Sequence, residues 1–157
     1  MATRSSSIAK AEEPVLEITR ILDAPRSLVF NAWTTPEHWV RWLGPRGFTT
    51  LSCEMDFRPG GAYRACIRSP EGTDYWMRGV YRETVEPDRI VFTSAWEDEK
   101  GEPGHETLVT VAFAEHKGKT KLTFHQAVFE SIADRDSHHE GWSESLDRLE
   151  VYLASIE

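Results

Sequence analysis

The sequence contains little cysteine, fewer basic than acidic residues and no long hydrophobic run. Two cysteines among 157 residues do not make a disulfide framework. The net charge of −8 argues against nucleic acid or an anionic membrane as the main partner. No apolar run approaches the roughly 18 residues that a membrane span needs, and the N-terminus lacks the apolar core of a signal peptide. We therefore expect a cytoplasmic protein that binds no nucleic acid and does not insert into a membrane.

The composition is typical of one globular domain. Hydrophobic residues make up 39% of the sequence and charged residues 28%, and a chain of this length buries a core unaided. Residues 1–13 are polar and serine-rich, which predicts a disordered tail. Residues 14–157 are then expected to form a single folded domain.

The stretch 138–156 has the periodicity of an amphipathic helix. Five apolar residues recur at steps of four, three, four and three, which places them on one stripe of the helix. These residues are Trp142, Leu146, Leu149, Leu153 and Ile156. Ser131 and Asp134 form a capping pair that opens the helical region. The stripe is expected to pack on elements earlier in the chain, which are mostly strands.

That earlier sequence predicts one strand, two short helices and six further strands. The first strand covers 15–22. Asp23 with Pro25, and Thr35 with Pro36, are the start signals of the two helices. The further strands are predicted at 48–57, 62–69, 74–86, 90–96, 107–115 and 121–129. This order predicts an α+β fold whose antiparallel sheet carries the helices on one face.

The hairpin around the turn at 58–61 has two registers to choose between. A two-residue loop sets Cys53 opposite Cys66, whereas a three-residue loop sets Phe57 opposite Tyr63. The second register pairs apolar with apolar residues and suits a type I turn closed by a left-handed glycine. We therefore predict the three-residue loop. Cys53 then faces the core, Cys66 faces the opposite side, and the two form no disulfide.

Three stretches, taken in this order, resemble a known family. They are LEITRILDAPRSLVFNAWTTPEHWVRWLGPRGF, the strand-ending GVYRETVEPDRIVFT, and the GW-x3-L-x2-L-x3-L pattern of the last helix. Together they are similar to the family of the Hsp90 ATPase activator homologue C-terminal domain, within the START/Bet v 1-like superfamily. The resemblance covers roughly residues 15–156.

This resemblance implies the helix-grip fold, in which a curved antiparallel sheet wraps around the long C-terminal helix and leaves an internal cavity. Relatives bind hydrophobic ligands, sequester an antibiotic or catalyse cyclisations in polyketide pathways. The co-chaperone is matched only in its C-terminal domain, so interaction with a chaperone is the weaker implication. We expect a module that binds a small hydrophobic molecule. A polyketide-cyclase-like enzyme and a chaperone- or client-interaction module are the alternatives.

Methionine and aromatic side chains on the predicted inner faces are candidates for the cavity walls, because they form adaptable apolar surfaces. As plain core residues they would need no ligand. Strand parity turns Gln126 inward, either as a polar handle in the cavity or bonded to nearby backbone. His138 lies either at the pocket mouth or at a solvated helix start. The candidate cavity residues are Met55, Phe57, Tyr63, Met77, Tyr81, Gln126, His138, Trp142 and Leu146.

Gly141 is unexpected inside a helix, because glycine there costs about 1 kcal/mol relative to alanine. Either the close approach of a strand or ligand, or a kink near the helix start, would explain it. We favour close packing.

The sequence assigns no catalytic residue. It contains no nucleophile with a base at motif spacing and no glycine-rich phosphate loop. The adjacent His138 and His139 point about 100° apart on a helix, so they do not suit one metal ion. We predict neither a metal nor a cofactor. Converging titratable groups in the cavity would favour an enzyme, an apolar cavity with one polar group would favour binding, and a filled core with an exposed apolar patch would favour the interaction module.

Overall fold

The computed structural model describes residues 14–156, which form a seven-stranded antiparallel sheet and three helices. The predicted tail at 1–13 lies outside the described residues. The elements in chain order are β1 (Leu16–Leu22), α1 (Arg26–Thr34), α2 (Pro36–Trp42), β2 (Thr49–Met55), β3 (Ala62–Arg68), β4 (Asp74–Val85), β5 (Arg89–Trp96), β6 (Thr107–His116), β7 (Lys119–Ala127) and α3 (Ile132–Ile156).

The sheet has the strand order β1-β7-β6-β5-β4-β3-β2, so the first two strands of the chain form its opposite edges. The segment containing α1 and α2 connects these edges, and α3 packs on the sheet. Register shifts between Thr50 and Ser52 and between Tyr81 and Glu83 bend two strands. The predicted α+β helix-grip fold is therefore confirmed.

The core lies between the sheet and the three helices. Trp33 of α1 and Trp42 of α2 meet edge to face with ring centroids 4.8 Å apart, and both are buried. From α3, the stripe residues Leu146, Leu149 and Leu153 are buried in the same core, while Ile156 is exposed. Each such buried side chain contributes about 1.5–3 kcal/mol, so α3 is held firmly.

One predicted helix start is confirmed and one needs correction. α3 begins at Ile132, directly after Ser131, which the sequence predicted to open the helical region. The predicted capping pair is present, since the Ser131 hydroxyl oxygen accepts the N–H of Asp134 at 3.0 Å. Asp23 does not cap α1. Pro25 occupies the N-cap position, and its carbonyl accepts the first N–H groups of the helix.

The predicted register of the β2–β3 hairpin is wrong by two residues. Met55, not Phe57, pairs with Tyr63. The cause is a longer loop, in which the Gly61 N–H bonds to the Arg58 carbonyl at 2.8 Å and Gly60 has a φ of +85°. Side-chain direction alternates with a period of two along a strand. An error of two residues therefore left each side chain on its predicted face of the sheet.

The two cysteines therefore lie on opposite faces, and both are free as predicted. Cys53 packs against the core and pairs with Ala65, whereas Cys66 pairs with Ser52 on the other side. Burial, with Glu37 and Glu54 nearby, raises the pKa of the Cys53 thiol to about 12. This thiol therefore stays protonated at neutral pH and is a poor nucleophile.

Candidate functional site

A pocket of about 510 Å³ lies between the first half of α3 and the ends of β3, β4 and β5. We call it the main pocket. The helix contributes one wall, in which Trp142 is 8% exposed and rests on Phe124 with ring centroids 4.6 Å apart. This wall consists of Asp134, Ser137, His138, Gly141, Trp142 and Ser145. Successive turns of one helix therefore present both an indole and small side chains to the pocket.

The sheet and the α2–β2 connection provide the other walls. The sheet residues are Ile67, Tyr75, Met77, Ser94 and Trp96. From the connection come Leu43, Gly44, Pro45 and Phe48. Most of these groups are apolar, so the lining favours an apolar or aromatic occupant.

Arg148 of α3 fixes the α2–β2 connection. Its Nη1 donates toward the carbonyl oxygens of Leu43, Gly44 and Pro45 at 3.0, 2.9 and 3.1 Å. Burial lowers the pKa of this guanidinium, yet arginine remains charged at any ordinary pH. One half-buried cation therefore holds three adjacent backbone groups that form a wall of the main pocket.

Gly141 faces the main pocket rather than a strand. A Cβ built on it would meet Pro45 Cγ at 3.6 Å, which is an ordinary van der Waals distance. The expected close approach of a strand is absent from the described part of the chain. The consequence of this glycine is instead extra room in the pocket wall.

His138 has both ring nitrogens occupied. Trp96 Nε1–H donates to His138 Nε2 at 3.0 Å. An indole only donates, so Nε2 must accept and the proton of a neutral imidazole must be on Nδ1. Nδ1 then donates to the Asp134 carbonyl at 2.8 Å. The ring is fixed between helix and sheet, and neither nitrogen is left for acid–base exchange with a bound molecule.

A smaller cavity of about 150 Å³ adjoins the main pocket, and we call it the side pocket. The two share walls formed by Ser94, Trp96, Asp134 and His138. The side pocket is more polar, because Thr107 and Gln126 also line it, together with Glu130 and His105. Gln126 is 1% exposed, and its Nε2 donates to Thr107 Oγ1 at 2.8 Å.

The candidate residues from the sequence fall into three groups. Met77, His138 and Trp142 line the main pocket, and His138 and Gln126 line the side pocket. Gln126 bonds a side-chain hydroxyl, not the backbone. The remaining candidates pack in or against the core and line neither pocket, and they are Met55, Phe57, Tyr63, Tyr81 and Leu146.

An aromatic cluster fills the end of the sheet near the 58–61 turn, where several of those candidates lie. Phe57 meets Tyr81 at 5.0 Å between ring centroids, and Tyr63 meets Phe92 at 5.4 Å. The Tyr63 hydroxyl donates to the Thr93 carbonyl at 2.8 Å, and burial raises its pKa. This hydroxyl is therefore unsuited to act as a base.

Sequence reasoning missed the pocket residues at the other end of the same strands. Tyr75 lies two residues before Met77 on the same face, and Ile67 pairs with Tyr75 across β3 and β4. Strand parity alone could have added both. Trp96 and the 43–45 segment carried no such signal, because their positions depend on contacts with α3.

Within residues 14–156, no three His, Cys, Asp or Glu side chains cluster in a way that could hold a metal ion. No helix in the described range is long and apolar enough to cross a membrane.

The sheet, the long helix α3 that packs on it and the pocket between them define a helix-grip domain. The family model for Activator of Hsp90 ATPase homolog 1-like protein matches residues 23–154. The chain belongs to this family. No curated protein matches it.

Solved bacterial structures share the fold over nearly the whole chain. A protein from Chromobacterium violaceum is 28% identical, with 89% of this chain and 96% of that chain covered and a TM-score of 0.81. A putative uncharacterized protein from Rhizobium leguminosarum is 31% identical, with 92% and 96% covered and a TM-score of 0.79. The AHSA1 protein from Silicibacter pomeroyi is 24% identical, with 91% and 99% covered and a TM-score of 0.83, which is a likeness of fold alone.

Proposed function

We propose that this protein binds a small apolar or aromatic molecule in the main pocket. The observation that carries the proposal is the pocket itself, whose volume of about 510 Å³ falls in the usual range for small-molecule sites. Its walls come from rigid elements, and Arg148 holds the one loop among them. A preformed apolar pocket of this kind loses little conformational entropy when a ligand enters.

Catalysis by the main pocket has less support than binding. Its titratable side chains within the described residues include Asp134 and His138, but both nitrogens of His138 are already bonded to Trp96 and backbone. Tyr63, a second candidate for polyketide-cyclase-like chemistry, is buried outside the pocket. The arrangement favours holding a molecule over transferring its protons.

The test uses the neutral fluorescent probe N-phenyl-1-naphthylamine. We expect one site per chain, enhanced probe emission, and a melting temperature that rises with probe concentration, because a ligand of the folded state stabilises it. Ser137→Phe places a ring in the pocket mouth and should weaken binding by about tenfold. Asp136→Phe adds the same ring at a neighbouring exposed position that does not line the pocket, and is the matched control.

Three results would contradict the proposal. One is a wild-type protein that leaves the probe dark at micromolar concentration. Another is equal loss of binding in the Ser137→Phe and Asp136→Phe variants. The third is probe stoichiometry far above one, which would indicate adsorption on exposed apolar surface rather than a pocket.

A further inference from the structure

The amide of Gln126 has its orientation determined by its neighbours. Thr107 Oγ1 lies 3.2 Å from the Ser94 carbonyl, which only accepts, so the hydroxyl proton belongs to that bond. Thr107 Oγ1 must then accept from Gln126, and the 2.8 Å contact requires the amide nitrogen on that side. The amide oxygen, Oε1, is left facing the other way.

Gln126 Oε1 is buried and has no hydrogen-bond partner among the described residues. A buried acceptor without a partner costs free energy, and native proteins rarely leave one unsatisfied. Gln126 and Thr107 both line the side pocket. The lining of the side pocket therefore includes a side chain with one acceptor that the protein itself does not use.

Resting on the binding function proposed above, we infer that the side pocket receives a hydrogen-bond donor, a hydroxyl or an N–H group, at one end of the ligand. The shared walls place that end beside the apolar body in the main pocket. A volume of about 150 Å³ is on the scale that admits one benzene-sized ring.

The neighbouring charges argue against an anionic end. Glu130 and Asp134 line the side pocket, and no Lys or Arg does so among the described residues. A carboxylate or phosphate would meet these two carboxylates and would have no proton for Gln126 Oε1. The ligand class is thus a neutral aromatic or aliphatic alcohol, phenol or amide.

Three naphthalene probes separate the contribution of the hydrogen-bond donor from the effect of a negative charge. They are 2-naphthol, which has the donor, 2-methoxynaphthalene, which lacks it, and the anion 2-naphthoate. We expect 2-naphthol to bind wild-type protein about three- to tenfold more tightly than 2-methoxynaphthalene, as one additional hydrogen bond provides. 2-Naphthoate should bind most weakly. In Gln126→Leu the affinity ratio of 2-naphthol to 2-methoxynaphthalene should fall to about one.

The composition of the chain supplies a direct spectroscopic test. Gln126 is its single glutamine and Asn31 its single asparagine, so only two side-chain amide pairs appear in a nitrogen-15 NMR spectrum. Asn31 is exposed on α1, far from either pocket lining. 2-Naphthol should shift the Gln126 pair and leave the Asn31 pair in place. This measurement does not depend on whether Gln126→Leu folds.

The outcomes separate this inference from the binding function. If 2-naphthol and 2-methoxynaphthalene bind equally and the Gln126 pair does not move, the donor site is wrong and the apolar pocket stands. If no probe binds, both proposals fail.

Discussion

Trp142 stacks on Trp33, with ring centroids 5.8 Å apart and planes only 18° from parallel. This contact joins the pocket-lining side of α3 to α1, whose side chains form the core beneath it. One indole therefore serves as a pocket wall and as a core residue at once.

Trp142→Leu should lower both stability and probe affinity. We expect a loss of about 2–4 kcal/mol in the free energy of unfolding and a clear change in the Kd for N-phenyl-1-naphthylamine. Trp39→Leu is the matched control, because Trp39 is also a buried tryptophan but does not line the main pocket. It should lose similar stability in urea titrations with no change in Kd. Unchanged affinity in Trp142→Leu would remove this indole from the binding site.

Gly141→Ala should raise stability and weaken binding together. The added methyl meets no atom of the described residues closer than 3.6 Å, so the helix gains about 0.5–1 kcal/mol. The same methyl enters the main pocket and should raise the probe Kd by about threefold. His139→Ala, on the exposed side of α3, should leave the Kd unchanged. Tighter probe binding by Gly141→Ala would mean that the glycine does not shape the pocket.

Arg148→Met should loosen the wall at 43–45. Three carbonyl oxygens lose their donor, and we expect a cost of about 1–3 kcal/mol. The Phe48 amide, which bonds the Pro45 carbonyl at 3.0 Å, should then exchange its hydrogen faster. Arg46→Met is the control, because Arg46 is 73% exposed and its contact with Asp147 is 3.5 Å long. It should cost under about 0.5 kcal/mol. Equal exchange rates in both variants would show that Arg148 does not hold the loop.

Glu97 gives the protein a pH-dependent contribution to stability. Its side chain is 3% exposed, and Arg64 donates to both carboxylate oxygens at 2.7 and 2.9 Å. These bonds lower the pKa of Glu97 in the folded state. The stabilisation is therefore complete above the ordinary glutamate pKa of about 4.3 and is lost as pH falls through the lowered folded value.

Glu97→Gln should consequently unfold more easily than wild type at pH 7, by about 1–2 kcal/mol. The difference should shrink as the pH falls below 4, because the wild-type carboxylate is then protonated too. Urea midpoints measured from pH 7 to pH 3 test this. A difference that grows toward acid would reverse the sign and refute the assignment.

Much of the fold follows from local patterns in the sequence. The helical stripe through Leu146, Leu149 and Leu153 was confirmed, and so was the strand parity that turns Gln126 inward. Both patterns arise because side chains on one face of a helix or strand pack in the core while those on the other face meet water. The hairpin register was not predictable in the same way. It depends on a loop whose Gly60 N–H and Gly61 carbonyl bond to Tyr81 on a third strand, and no local pattern contains that contact.

The position of the pocket along the strands also escaped prediction. Tyr63 and Ile67 share a face of β3, yet only Ile67 reaches the main pocket. Aromatic rings from α2 and β5 fill the space near Tyr63, namely Trp39 and Phe92. Which end of the sheet is filled with side chains depends on how elements distant in the sequence pack together. Strand parity therefore identifies the inner face of the sheet but not the position of the main pocket along it.

The placement of β1 at an edge of the sheet has a consequence for biosynthesis. Its neighbour in the described sheet is β7, with Leu16 opposite Gln126. During synthesis β1 can therefore take this position only after β7, which follows all the other strands of the described sheet in the chain, has been made. Such long-range pairing slows folding. The pairing beside Gln126 thus forms only after all seven strands have been made, and the wall of the side pocket that Gln126 lines is completed with it.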